Sequence, residues 1–268
     1  GDSNIFTEIK AMRKTKKVVA NSIDGVTDNI PEHFKSMYSE LFNSVEDADN
    51  MAKVSEAIAK QIGPKDMTDI EKVTPEVLVK AAAKLKPGKS DSVYTFSSDC
   101  IKVDCKPLSN LLSAIFQSFL VHGHVTRFLL LATLVPIIKN KLGSISTSKN
   151  YRSIAISSII LKLIDWIIII LFGGTFGLND LQFAYQPGVS GNMCTWAILE
   201  TVDYFLRHGS EVFACTMDQS KAFNVTVHSK MFTKMMTGND TGKGLSLTFV
   251  RILVFIYTEQ FANVRWNN

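Results

Sequence analysis

The sequence has few cysteines, and their spacing excludes the usual cysteine-based architectures. Only four occur in the 268 residues, and no two have the C-x-x-C spacing of a zinc knuckle. A chain this long with so few cysteines is not a disulfide scaffold, so we expect a reducing, intracellular location, the nucleus or the cytoplasm. The first residues, GDSNIFTEIK, lack the apolar centre of a signal peptide, which agrees with that expectation.

Long uncharged apolar runs are also missing. Residues 161–172 are strongly apolar but contain Lys162 and Asp165, and the eleven-residue run Phe128–Ile138 includes Pro136. A membrane-spanning helix needs about 18–20 apolar residues, so we expect no membrane segment. Proline and glycine are sparse, at 7 and 15 residues, while 46% of the chain is hydrophobic. These proportions predict a globular protein of one large domain or two small ones.

Carboxylates are absent from a run of sixty residues between Cys105 and Ile164, and the whole net charge of +4 lies after residue 90. The run contains seven cations: Lys106, Arg127, Lys139, Lys141, Lys149, Arg152 and Lys162. Such a run suggests a surface that faces anions such as nucleic acid. A buried segment whose few surface positions are basic would look the same, and charge alone does not separate the two interpretations.

Hydrophobic periodicity and capping residues predict a mixed α+β chain. The first ninety residues favour short amphipathic helices, over Ile5–Lys17, over 31–42, over Ala52–Ile62 and from the N-cap pattern Thr74-Pro75-Glu76. In the rest of the chain the pattern predicts five helices: Pro107 to about Gly123, a buried one over Ser157–Phe172, Gly191–Arg207, 228–236 and Leu245–Tyr257. It also predicts a strand over 131–138, with Pro136 at its edge or end, and a buried strand that ends at Asp218. The last residues are predicted to begin a further strand.

Two places in this pattern carry chemistry. A carboxylate at the end of a buried strand, as predicted for Asp218, is a common way to hold a divalent metal ion, although an Asp that caps the turn after a strand is commoner still. Lys139 and Arg152 flank one polar loop and are suited to gripping a triphosphate, although a solvated basic hairpin gives the same pattern.

The order of the motifs adds a resemblance. After the loop KPGKSDS the chain gives VPIIK, then NYRSIAI, then LQFAYQPGVS, then MDQSKAFNV. This succession, over roughly residues 86–235, resembles the reverse transcriptase domain of non-LTR (LINE-type) retrotransposons. The resemblance implies an α+β right-hand polymerase fold: a helical N-terminal segment (1–88), a fingers-like region (89–208) and an incomplete palm (209–268).

The resemblance also implies roles for individual residues. Asp218 matches the first catalytic, metal-binding carboxylate, which would hold Mg²⁺ or Mn²⁺ for nucleotidyl transfer from a dNTP onto a DNA primer along an RNA template. Residues matching the nucleotide-binding positions are Lys139, Arg152, Gln219, Ser220, Lys221 and Phe223, the last under the incoming sugar. Gln182 and Phe183 match the template and primer region.

Departures from the family pattern argue against polymerase activity. Ser153, Gln186 and Asn224 replace the family's Pro, Arg and Asp, and the sequence contains no Asp-Asp dipeptide for the second carboxylate motif. We therefore expect a truncated, inactive polymerase domain. The alternatives are a non-catalytic RNA- or DNA-binding module and a relic helical protein without function; only six of the 29 basic residues are Arg, which slightly favours the relic. The oligomeric state is left open.

Overall fold

A computed structural model describes residues 20–43, 48–62, 70–91, 96–102, 106–175, 179–219, 222–238 and 244–266. Within these ranges the protein is a mixed α+β fold, mainly helical with one small sheet, as the sequence predicts. The helices are α1 (Ile30–Asn43), α2 (Ala48–Gln61), α3 (Pro75–Lys84), α4 (Ser98–Lys102), α5 (Lys106–His122), α6 (Ile159–Phe172), α7 (Gly191–Arg207), α8 (His228–Thr237) and α9 (Leu247–Glu259). The strands are β1 (Leu131–Ile138), β2 (Tyr151–Ile156) and β3 (Phe261–Val264). The helix predicted at Ile5–Lys17 lies outside the described residues.

Local capping chemistry sets several helix starts. The side chain of Thr74 accepts a hydrogen bond from the backbone N–H of Val77, with Pro75 in the first turn of α3, so the predicted N-cap is confirmed. Ser158 and Ser190 do the same for α6 and α7 by accepting from the N–H groups of Leu161 and Met193. Each cap satisfies one of the backbone donors that a helix start leaves without a partner.

The sheet has the strand order β2-β1-β3. β1 pairs antiparallel with β2, from Thr133 opposite Ile156 to Ile138 opposite Tyr151. β3 pairs parallel with the first half of β1 only, from Leu131 beside Phe261 to Leu134 beside Val264. Pro136 therefore lies in the half of β1 that has β2 as its one neighbour, where a missing backbone N–H is tolerated.

The main core surrounds α6, whose apolar residues are buried over almost its whole length. Leu163 is fully buried, and Phe172 stacks on Phe249 of α9 with ring centroids 4.8 Å apart. Helices α2, α3, α5, α8 and α9 contribute to the same cluster. Lys162 and Asp165, which interrupt the apolar run of α6, are not among its buried residues. No helix of the described chain is both long and apolar enough to cross a bilayer.

A second, aromatic cluster joins α1 to one face of the sheet. Phe34 of α1 is fully buried and packs against Tyr151 and Trp266 with centroid distances of 5.5 and 5.3 Å. Tyr151 lies on β2 and Trp266 follows β3, so this contact covers the sheet from one side. The opposite face is exposed at its hairpin end, at Ile137, Arg152 and Ile154, but Thr133 on the same face is buried.

The prediction of a buried strand that ends at Asp218 is wrong. Residues 210–219 have neither helical nor strand structure, and Phe213 and Met217 are 90% and 95% exposed. A strand is stable only when a neighbour takes up its backbone hydrogen bonds. In the structure no described strand pairs with residues 210–219, and the strands that do pair form a mixed sheet of order β2-β1-β3.

Helix α7, which precedes this segment, has the predicted bounds but not the burial that its apolar residues would suggest. None of its residues is buried, and Trp196 and Leu199 are 65% and 62% exposed. It ends at His208 with Gly209 in a left-handed conformation (φ +75°), as expected for a glycine after a helix C-terminus.

Candidate nucleic-acid interface

Lys139 and Arg152 lie on one hairpin, formed by β1 and β2. Arg152 stands directly opposite Ile137, and the backbone N–H of Lys139 donates to the carbonyl of Asn150 at 2.7 Å. Opposite residues of an antiparallel pair share a face, and alternate residues along a strand share it too. The two cations are therefore diagonal neighbours on one face of the hairpin, and both are exposed.

The loop between the strands, residues 139–150, is ordered by amide side chains. The amide nitrogen of Asn150 donates to the carbonyls of Asn140 and Ser144, both at 2.9 Å, and its amide oxygen accepts from the Asn140 N–H at 2.9 Å. These bonds fold the loop back on the strand ends. Lys141 and Lys149 are exposed on it, and neither they nor Lys139 and Arg152 form an ion pair with another described residue.

One carboxylate from outside the hairpin fastens the loop. The carboxylate of Asp24 accepts a hydrogen bond from the backbone N–H of Ser148 at 3.1 Å. The backbone N–H of Asp24 donates to the carbonyl of Ser146 at 2.8 Å. His33 of α1 lies 3.1 Å from the other carboxylate oxygen. The hydrogen bonds to Ser148 and then to His33 lower the pKa of Asp24 below its ordinary value. The carboxylate is thus used to hold the loop.

The same open face carries apolar side chains beyond the two cations. Ile137, Ile154 and Phe261 are 50%, 45% and 48% exposed, and the strand register places the first two on the face of Arg152. A cationic end beside an apolar patch suits a ligand with both phosphates and flat rings, which is the combination that nucleic acid offers.

Arg127 differs from the other cations of the carboxylate-free run. It donates to the carboxylate of Glu259 in the last turn of α9, through Nε at 2.9 Å and through a second guanidinium nitrogen. The run itself contains no acidic residue, but the fold brings the carboxylate of Glu259, 132 residues along the chain, to Arg127. Arg127 is therefore not part of the group of unpaired hairpin cations, Lys139, Lys141, Lys149 and Arg152.

Asp218 lies on the exposed irregular segment described above. Gln219 beside it is also exposed, and Phe223 is 78% exposed, whereas Ser220 and Lys221 lie outside the described residues. No hydrogen bond, ion pair or ring contact between described residues joins this segment to the hairpin. The structure therefore brings together Lys139 and Arg152 on one hairpin face, and no contact between described residues links Asp218 to them.

The loop with Gln182 and Phe183 approaches Phe223 through a neighbouring tyrosine. The ring of Tyr185 meets that of Phe223 edge-on, with centroids 6.5 Å apart and planes at 89°. The side chain of Gln182 donates to the carbonyl of Ala184 at 2.8 Å and so helps to shape this loop. Phe183 is half-buried. Two of the motif segments thus lie side by side, although Tyr185 was not among the residues that the sequence singled out.

The donor set around Asp218 does not fit a pair of divalent ions. A two-ion site needs carboxylates from more than one structural element, held at fixed positions. Within the described ranges, no three His, Cys, Asp or Glu residues are grouped so that they could hold a metal ion. Binding of Mg²⁺ or Mn²⁺ stays a prediction of the resemblance, and no chemical step is derived through it.

The most important residue that the sequence analysis missed is Asp24. Its signal was the Asp24-Gly25 pair in a turn-rich stretch, and both residues have positive φ, at 50° and 84°. The pair predicts a tight turn, but nothing local shows that the turn meets the hairpin. Comparison with family models finds no match for the chain, and no curated protein matches it either.

Proposed function

We propose that these 268 residues correspond to the fingers and the first part of the palm of a reverse transcriptase of the non-LTR retrotransposon type, and that they do not polymerise DNA. The ordered motifs support the kinship. The observation that carries the functional part is the pairing of Lys139 and Arg152 on one open face of the β1–β2 hairpin, where cations without carboxylate partners would meet phosphate.

The lack of polymerase activity is inferred from the carboxylates. Asp218 is the one residue that matches a catalytic metal ligand, and the sequence has no Asp-Asp dipeptide to match the second motif. The Asp218 side chain is exposed on a segment that no strand pairing holds in place. Two-metal catalysis needs ligands fixed to within fractions of an ångström, which such a segment does not provide.

Primer extension tests this part of the proposal. The chain is incubated with an RNA template, an annealed DNA primer, dNTPs and either Mg²⁺ or Mn²⁺, and we expect no product above the level of an Asp218→Asn variant. Extension that the wild-type chain supports and Asp218→Asn abolishes would overturn the claim of inactivity.

A second candidate function, a non-catalytic nucleic-acid-binding module, is favoured by the same hairpin face. We expect RNA binding that weakens steeply with salt, because each neutralised phosphate releases counterions. The variant Lys139→Gln/Lys149→Gln/Arg152→Gln should bind about tenfold more weakly, the result of losing three phosphate contacts.

The matched control for that experiment is Lys80→Gln/Lys84→Gln/Lys86→Gln, which removes the same charge from exposed positions at and after α3. It should leave RNA affinity within about twofold of wild type, since a general charge effect is screened beyond about 10 Å. Equal losses in both variants would reject a specific hairpin site. No binding at low salt, together with no extension, would leave the relic protein as the remaining interpretation.

A further inference from the structure

A groove between α2 and α8 forms a second concave surface, on elements other than the hairpin. Its volume is about 700 Å³, which lies in the range of sites for small organic ligands. Val54, 5% exposed, and the half-buried Ala57 and Met236 form its apolar floor. The amide side chains of Asn50 and Gln61 lie along its α2 side.

Three lysines border this groove, and none of the described residues that line it is a carboxylate. Lys53 comes from α2, and Lys230 and Lys234 come from successive turns of α8. Like charges four residues apart on a helix destabilise it slightly, so this arrangement has a small cost for the fold alone. None of the three forms an ion pair with another described residue, in contrast to Lys60 of α2, which is 2.6 Å from Glu56.

The remaining polar groups of the groove also favour an anion. The hydroxyls of Thr233 and Thr237 donate to the carbonyls of Ser229 and Thr233, at 2.9 and 3.1 Å, and are therefore already used as donors. Donors for a ligand come from the three ammonium groups and the two amides. Cations gathered around a concave, partly apolar surface concentrate anions there, because the low-dielectric walls focus the field.

From this arrangement we propose that the groove between α2 and α8 binds a nucleotide, its phosphates held by Lys53, Lys230 and Lys234 and its ring lying on the floor of Val54, Ala57 and Met236. The nucleotide is either free or part of a single strand, since both offer the same phosphate and ring. The proposal does not depend on the polymerase kinship, because Lys53, Val54 and Ala57 lie outside the stretch that carries the resemblance. Lys230 and Lys234 lie inside that stretch, but the resemblance gives them no role.

Binding measurements on the full chain test this site and separate the two sources. Fluorescence anisotropy follows a labelled ten-nucleotide RNA, with unlabelled ATP, the unlabelled RNA and inorganic phosphate as competitors. We expect Lys53→Gln/Lys230→Gln/Lys234→Gln to weaken binding about tenfold and to reduce the slope of log affinity against log salt by about 2, the value for three contacts to a single strand. The α3 control variant, Lys80→Gln/Lys84→Gln/Lys86→Gln, should change affinity by less than about twofold.

Competition decides the class of ligand. Displacement by ATP at concentrations where inorganic phosphate has no effect would support a nucleotide site with a free nucleotide as its ligand. Displacement by RNA alone would support nucleotides within a strand. Equal displacement by phosphate would overturn the proposal, because the floor would then contribute nothing.

A second variant distinguishes weaker binding from loss of the fold. Asn50→Asp/Gln61→Glu introduces two carboxylates at the groove with almost no change of shape, and it should weaken binding while the thermal midpoint stays near that of wild type. Affinity equal to wild type in this variant or in the triple lysine variant would overturn the site. The RNA affinity of the hairpin variant Lys139→Gln/Lys149→Gln/Arg152→Gln is measured in parallel. It tests the hairpin proposal separately from the groove proposal.

Discussion

Arg127, at the start of the turn that leads into β1, donates two hydrogen bonds to the carboxylate of Glu259 in the last turn of α9. Arg127 begins the 3-10 turn that leads into β1, and Glu259 is the last residue of the helix that precedes β3. The ion pair therefore fastens together the two chain segments from which the parallel part of the sheet begins.

A double-mutant cycle with Arg127→Gln and Glu259→Gln should give a coupling free energy of about 1 kcal/mol in urea unfolding at low salt, near the upper end for exposed pairs. The guanidinium is largely exposed, so the coupling should decrease in 1 M salt. The comparison pair is Arg207 and Asp203 within α7, 2.8 Å apart, for which we expect only about 0.3–0.5 kcal/mol. A coupling no larger than that of the comparison pair would contradict the proposed link.

Asp24→Asn should change the dependence of stability on pH. The pKa of Asp24 is lowered in the folded protein, so its charge stabilises the fold above the pKa of the unfolded chain, near 3.8, and that contribution is lost as pH falls through the lower, folded value. The variant should have a lower thermal midpoint at pH 7 and a smaller decrease between pH 5 and pH 3. Asp28→Asn is the control, an exposed neighbour without a hydrogen bond to another described residue; a matching shift there would argue against the Asp24 contact.

Gly123→Ala should cost more than Gly209→Ala, although both glycines have positive φ, at 61° and 75°. A left-handed conformation costs an alanine about 1 kcal/mol at either site. At Gly123 the new methyl group would also overlap the side chain of Arg251, whereas no atom of the described residues lies within 4 Å of the methyl group at Gly209. Arg251 donates to the carbonyls of Leu120 and Val121, so its displacement would break the bonds that close the end of α5.

Chemical unfolding of both glycine variants measures this difference, which we expect to be about 1–3 kcal/mol, as for other overpacked sites. Adding Arg251→Ala to Gly123→Ala should remove part of the steric cost. Equal losses at the two glycines would show that Arg251 moves aside freely.

Leu163→Ala should destabilise the fold by about 2–5 kcal/mol, because the side chain is fully buried in the main core and leaves a cavity. Ile169→Ala removes a side chain from the same helix at a site that is 47% exposed, and it should cost less than about 1 kcal/mol. Denaturant midpoints of the two variants test the position of α6. Similar losses would mean that α6 is rotated relative to the core.

Sequence reasoning succeeded where the cause of a structure is local. The cap at Thr74, the bounds of α7 and the glycines after α5 and α7 depend on a few neighbouring residues, and all agree with the structure. The sequence also placed Lys139 and Arg152 on either side of one polar loop. It did not predict β2, so the diagonal placement of the two cations comes from the observed strand register.

It failed where a distant segment decides. The pattern before Asp218 is that of a buried strand, but a strand also needs a partner strand, and no described strand pairs with residues 210–219. The bounds of α7 agree with the prediction, but none of its residues is buried, because no described element covers its apolar side chains. Asp24 bonds the backbone of Ser148, and Glu259 bonds Arg127. Each pair is more than 100 residues apart in the sequence, so no local pattern predicts it.

The parallel pairing of β3 with β1 has a consequence for synthesis on the ribosome. β1 and β2 emerge together and can form their hairpin at once, but β3 follows only after α6 to α9, on the order of ten seconds later at usual rates of translation. During that interval the first half of β1 presents an unpaired edge, the kind of surface to which other nascent chains add. The need of this protein for chaperones should therefore depend on the time between the synthesis of β1 and that of β3 more than on the free energy of unfolding of the finished chain.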